Sequence, residues 1–136
     1  MKDYPISLNR AVNCMTPVWK TYPGIGSEEF YKKWGFHYED VWNLDASASY
    51  FILVRLVQLR DTCCGYPCEL HEHYKELYPD RDEADRRAIA MYHTILNKMI
   101  RGFYLYLTVN FPDKKQQKII DKAWKLYVEW YPTFWD

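Results

Sequence analysis

The stretch CCGYPCELHEH, residues 63–73, holds the densest set of chemically versatile side chains in the sequence. Thiolates and imidazoles are zinc ligands, and Cys64, Cys68, His71 and His73 are the four that one ion could draw on. The Cys64-x3-Cys68 spacing is usable, but a structural zinc site ordinarily has two separated ligand pairs. His71 and His73 are two residues apart, so on a helix they point in different directions. Nor is His-Glu-His the HExxH spacing that puts two imidazoles on one helical face. The plainer reading, buried or incidental thiols beside exposed histidines, is preferred. Zinc therefore stays an alternative, and no cofactor is expected.

A nucleophilic centre needs a thiol or hydroxyl beside a base. Cys63, Cys64 or Cys68 could pair with His37, His71, His73 or His93, yet nothing in the spacing selects a pair. There is no P-loop, no G-x-S-x-G and no dinucleotide fingerprint. The expectation is a protein that is not an enzyme. His93, beside Tyr92 in a helical stretch, reads as a core-edge side chain.

Anion recognition is the other chemistry on offer. Lys98 and Arg101 are three apart and so share a side of a helix. With Arg86 and Arg87 they could line a groove for phosphates, while Tyr92 or Tyr104 stacks a base. The run Asp82, Glu83, Asp85, Arg86, Arg87 is more simply a solvated helix start with local ion pairs. Arg55 stands in the middle of an otherwise apolar helix. It is read first as a snorkelling side chain or the partner of a buried carboxylate, and second as a guanidinium held for an anionic ligand or partner. The candidate ligand-binding set is Arg55, Tyr92, Lys98, Arg101 and Tyr104.

These side chains need elements to position them. The most apolar long window is residues 42–61, and the rest of the chain is expected to pack around it. Asp45 reads as its N-cap. Leu44, Ala48, Phe51, Ile52, Leu56 and Leu59 recur at the spacing of one buried helical face, and Val54 and Val57 widen it. Arg60 is near its C-terminus, where a cation is favourable. Thr62 to Pro67 forms a turn, broken by Gly65 and Pro67, and residues 68–78 read as a short helical turn.

The longest helix follows, capped by Asp80 or Asp82. Its apolar stripe is Ala84, Ala88, Met91, Tyr92, Ile95, Met99, Phe103 and Leu107. Gly102 inside it costs about 1 kcal/mol against alanine, which a close approach by another helix would explain. Its last turn, rich in aromatic and β-branched residues, is weaker. Pro112 suits the first position of a final helix, with Lys114, Lys115 and Lys118 outside and Ile119, Ile120, Ala123, Trp124, Tyr127 and Val128 inside. Pro132 stops it.

Upstream, Pro5, Pro17, Pro23, Gly24 and Gly26 punctuate residues 1–26, with Tyr22-Pro23-Gly24 as a turn. Tyr4, Ile6, Leu8, Val12, Val18 and Trp19 are too apolar for a free tail. Ser27 reads as the N-cap of a short helix to about Trp34, ended by Gly35, and residues 37–41 as a loop. The fold class is all-α: a single-domain bundle of three main helices plus a short helix. Its organisation is an irregular N-terminal arm, residues 1–26, packed on a helical domain, residues 27–136. An α+β domain in which the arm forms a hairpin is the competitor.

A chain of 136 residues is one domain by size. Its 18 basic and 18 acidic residues balance, which removes the electrostatic footprint of a dedicated nucleic-acid binder. No stretch matches a signal peptide or a membrane span. Cys14, Cys63, Cys64 and Cys68 are then expected as free thiols in a cytosolic protein. Thirteen tyrosines and six tryptophans exceed what a three-helix core needs. Such residues are enriched at interfaces, so a homo-oligomer or an aromatic-lined site is expected.

The pattern Trp42-Asn43-Leu44-Asp45, then Phe51-Ile52-Leu53 with Arg55-Leu56, then Gly65-Tyr66-Pro67, resembles a family of small uncharacterised proteins of tailed bacteriophages. Ile95-Leu96-Asn97-Lys98-Met99-Ile100 and the closing Trp124, Trp130 and Trp135 extend the resemblance over roughly residues 36–136. Val54 departs from it, standing where such proteins often carry proline. The resemblance implies no activity. Together with the absence of a catalytic motif and the aromatic excess, it leads to the expectation of a phage accessory protein in the cytoplasm of the infected bacterium, whose partner is a host protein or a small anionic, nucleotide-type ligand. An inhibitor of host defence is one form of this. The alternatives are a zinc-stabilised interaction module and a virion assembly or structural protein.

Overall fold

Six helices form among the described residues of the computed structural model, which are 5–15, 27–37, 41 and 43–134. They are α1 (Leu8–Val12), α2 (Ser27–Trp34), α3 (Leu44–Thr62), α4 (Cys68–Leu77), α5 (Arg81–Thr108) and α6 (Lys114–Trp130), followed by a 3₁₀ turn, Tyr131–Thr133. The described residues contain no strand, so the all-α class holds, and α3 to α6 pack as a bundle. The Tyr22-Pro23-Gly24 turn, Tyr4, Val18, Trp19, residues 38–40, Trp42 and Trp135 lie outside the described residues.

The hub is α5 rather than α3, because α3, α4 and α6 each pack against it. Asp80 starts it: the carboxylate accepts from the Glu83 backbone N–H at 3.0 Å, satisfying a donor that the first turn leaves unpaired. Its buried residues include Tyr92, Ile95, Leu96, Met99, Ile100 and Phe103. Each large apolar side chain so enclosed contributes roughly 1.5–3 kcal/mol through lost apolar hydration. Met91, assigned to the stripe, is 39% exposed, and Leu96 and Ile100 take its place. The terminal turn through Thr108 forms after all.

Gly102 is explained by α6. A Cβ built there would stand 2.1 Å from the Ala123 Cβ and 2.9 Å from the Ile119 carbonyl oxygen. Only a residue without a side chain lets the two helices approach this closely. Asp113 caps α6 by accepting from the Lys115 and Gln116 backbone N–H groups, both at 2.8 Å, while the Gln116 side chain accepts from the Asp113 N–H at 2.9 Å. This capping box places Pro112 before the cap, not at the first helical position. The inner face of α6 is Ile120, Ala123 and Leu126. Val128, expected inside, is 71% exposed, and Trp124 is half-exposed with its edge against Phe103.

The face of α3 also differs from expectation. Ser49, Leu53, Leu56, Val57 and Arg60 are buried, while Leu44 and Phe51 are exposed. Asp45 is not the cap. Asn43 precedes the helix without a side-chain capping bond, and the Asp45 carboxylate accepts from the Tyr106 hydroxyl at 2.6 Å. The N-terminal arm is not wholly irregular. Ser7 caps α1, whose Ala11 is fully buried and which packs on α3. Residues 68–77 make a ten-residue helix rather than one turn.

Candidate anion-binding groove

Helix α5 presents Thr94, Asn97, Lys98, Arg101, Tyr104 and Leu105 along one side. The opposite wall is the N-terminal segment, with Pro5, Ile6 and Arg10. Between them runs a groove of about 430 Å³, open to solvent. Lys98, Arg101 and Tyr104 are therefore brought together as the sequence suggested. Arg10 joins them from the short helix α1, in a stretch whose turn signals predict irregular structure. Three of the described lining residues are cationic and none is acidic.

The electrostatics follow from this arrangement. Lys98 is exposed and makes no ion pair among the described residues. Arg10 donates from Nε to the Tyr104 hydroxyl at 3.1 Å, and its guanidinium carbon lies 4.8 Å from the centre of that ring. Tyr104 thus ties the two walls and holds one cation over the groove. Along the helix axis, Lys98 and Tyr104 are about 9 Å apart and Arg101 and Tyr104 about 4.5 Å. Cations followed by an aromatic face form an amphiphilic strip: an anionic group fits one part and a planar ring the other.

Arg60 underlies both walls. Its side chain is 7% exposed, and its guanidinium donates to three acceptors, each at 2.8 Å. Nε reaches the Asp61 carboxylate, one terminal nitrogen the Asn97 side-chain oxygen, and the other the Ile6 carbonyl. One buried fork therefore fixes the register of α3, α5 and the N-terminal segment. Arg60, not Arg55, is the interior arginine of α3. Their types are identical, and only the choice of packing face separates them.

The remaining candidates fall elsewhere. Tyr92 is 3% exposed inside the core, so it offers no ring face to a ligand. Arg55 is exposed on the far side of α3, with its guanidinium carbon 3.3 Å from the Phe51 ring centre. Arg86 and Arg87 pair with Glu83 at 2.6 and 2.8 Å and do not join the groove. Those pairs, the Arg87 bond first, hold the Glu83 carboxyl below its usual range.

The set proposed for zinc does not assemble. Among the described residues, no three His, Cys, Asp or Glu side chains are placed to hold a metal ion. Cys64 is exposed before the Gly65-Tyr66-Pro67 turn and donates to the Thr62 carbonyl at 3.6 Å. Cys68 is exposed at the start of α4, and the exposed His73 ring lies edge-on to Tyr74. His71 turns instead toward α5, with Nδ1 3.1 Å from the Tyr66 hydroxyl and 3.9 Å from the Asp85 carboxylate. The Tyr66 hydroxyl donates to Asp85, and that bond is the main reason its ionisation is pushed up. This Tyr66–Asp85–His71 set pins α4 to α5, and no spacing signal marked it. The Cys63 thiol lies 3.9 Å from His93 Nε2, half-buried at the core edge, which fits the structural reading of His93.

A further depression of about 470 Å³, between the start of α3 and the α5–α6 connection, carries one charged residue among its described lining, Asp45, engaged by Tyr106. It offers far less to an ionic ligand than the α1–α5 groove. No helix among the described residues is long and apolar enough to cross a membrane. No protein-family model, curated protein or solved structure matches the chain.

Proposed function

We propose that this protein is a non-enzymatic binding protein, a phage accessory factor acting in the cytoplasm of the infected host, that sequesters a small phosphate-bearing ligand of nucleotide type. One observation carries the reading: Arg10, Lys98 and Arg101 share a groove with Tyr104. Phosphate oxygens would take the cations as charge-assisted acceptors, and a base would lie along the Tyr104 end. The resemblance to small phage proteins supports the setting, and withdrawal of a nucleotide signal would make such a protein an inhibitor of host defence. The test is native mass spectrometry of the full chain with AMP, ADP, ATP and adenosine. Defined adducts with the phosphorylated members and none with adenosine are expected. Equal adducts with adenosine, or none with any member, would refute it.

A host protein or a second copy of the chain is the second reading. It is favoured by the exposed apolar side chains of α3 and the C-terminal region, Phe51, Val128 and Tyr131, which are 55%, 71% and 63% exposed. Phe51 and Tyr131 line one pocket, and exposed large apolar groups that lie together mark association surfaces. The same mass spectrum reports the subunit number.

A further inference from the structure

Between α3 and the 3₁₀ turn lies a separate pocket of about 210 Å³ that shares no lining residue with the α1–α5 groove. Leu56 and Leu59 on one side and Tyr127, Tyr131 and Phe134 on the other make it apolar and aromatic. Partial burial, and then the neighbouring Tyr131, push the ionisation of the Tyr127 hydroxyl up. Arg55 is the single charged residue among the described lining. Its guanidinium is stacked on the Phe51 ring, and one N–H donates to the Phe51 carbonyl at 3.3 Å. No carboxylate among the described residues pairs with it. A planar fork is thus held by stacking at the mouth of an apolar pocket, with its other donors unclaimed by the described residues.

We propose that this pocket binds a small hydrophobic monocarboxylate, its apolar body among Leu56, Leu59, Tyr127 and Phe134 and its carboxylate on Arg55. Charge and size select the class. A single guanidinium matches one carboxylate in two parallel bonds. A phosphate dianion would bring a second charge that no other cation in this pocket meets. At about 210 Å³ the pocket has room for a phenyl ring on a short acid chain. The apolar walls supply most of the driving force, and the guanidinium decides which apolar molecules are kept.

The test uses 3-phenylpropanoate and the matching alcohol, 3-phenylpropan-1-ol, titrated into the full chain and followed by amide NMR shifts. The acid is expected to move the amides of residues 51–59 and 127–134 and to bind at least about tenfold more tightly than the alcohol. Arg55→Gln should remove that preference by bringing the acid's affinity down to about that of the alcohol. Arg55→Lys, which keeps the charge without the fork, should fall between. Arg55 is exposed and forms no ion pair among the described residues, so these variants fold, and an unchanged spectrum elsewhere verifies it. Equal affinities for acid and alcohol, shifts confined to the Lys98–Arg101 groove, or no shifts at all would overturn the proposal. Because the two sites share no lining residue, such a failure would leave the nucleotide reading standing.

Discussion

Replacing Arg60 by methionine keeps most of the aliphatic stem and deletes the guanidinium. Three acceptors then lose a donor. Asp61 is 44% exposed and regains water at little cost. The Ile6 carbonyl sits in a buried bond, and the Asn97 oxygen in a part-buried one. Leaving such groups without partners costs about 1–3 kcal/mol each. Against this stands the relief of no longer burying a charge, since exchange of a buried ion for a packed apolar side chain is often neutral or better. Here the bonded partners are largely backbone and amide oxygens, which methionine cannot satisfy, so the loss is expected to win by about 2–4 kcal/mol. Urea unfolding followed by tryptophan fluorescence measures it directly. Arg60→Lys should lose nearly as much, because one ammonium cannot reach three acceptors in fork geometry. Both variants should also bind ADP more weakly, since the Asn97 and Ile6 walls lose their common anchor. A methionine variant as stable as the wild type would refute the clamp and, with it, the account of how the groove walls are held.

Gly102→Ala should destabilise by about 1–3 kcal/mol from overpacking against Ala123 and the Ile119 carbonyl, although alanine is the better helix former by about 1 kcal/mol. Adding Ala123→Gly should recover part of the loss, a coupling that a double-mutant cycle in urea detects; strictly additive effects would contradict the close helix approach. The hydroxyl of Tyr106, donating to Asp45, is the first cause holding that carboxyl below its usual range, with the Ala46 backbone next. Because the folded value lies below the unfolded one, this contact contributes fully above about pH 4 and is lost as pH falls through the folded value. Tyr106→Phe should raise the Asp45 carboxyl toward its ordinary range in a ¹³C NMR titration; an unmoved titration would show that the bond is not what lowers it.

What could be read ahead of the structure, and what could not, follows from the physics of each helix. The α5 stripe and Gly102 were legible, because a long amphipathic helix with one crowded crossing leaves both a period and a glycine in the sequence. In α3 the apolar residues run nearly all round the helix, so periodicity does not name a face. Leu44 and Phe51 were assigned inward and lie outward, and Arg55 was singled out where Arg60 is the buried one. Asp45 has the right type for a cap, but Tyr106, sixty-one residues on, claims its carboxylate, and only tertiary structure shows that. In the groove, Lys98, Arg101 and Tyr104 could be grouped because one helix face carries them. Arg10 could not, since its partner lies ninety-four residues away and its short helix sits in a stretch dominated by turn signals. The 63–73 cluster had the residue types for a metal but lacked the spacing, and the structure turns His71 to Tyr66 and Asp85.

The proposed function rests on the Lys98–Arg101–Tyr104 groove binding a phosphate-bearing ligand. Isothermal titration of ADP into the wild type and into the Lys98→Ala/Arg101→Ala double variant tests it most directly. Both side chains are exposed on α5, and thermal unfolding of the two proteins verifies that the variant is folded. Binding to the wild type should be measurable, weaken with added salt and fall at least about tenfold in the variant. Binding of equal strength in both proteins, or no heat of binding to the wild type, would contradict it.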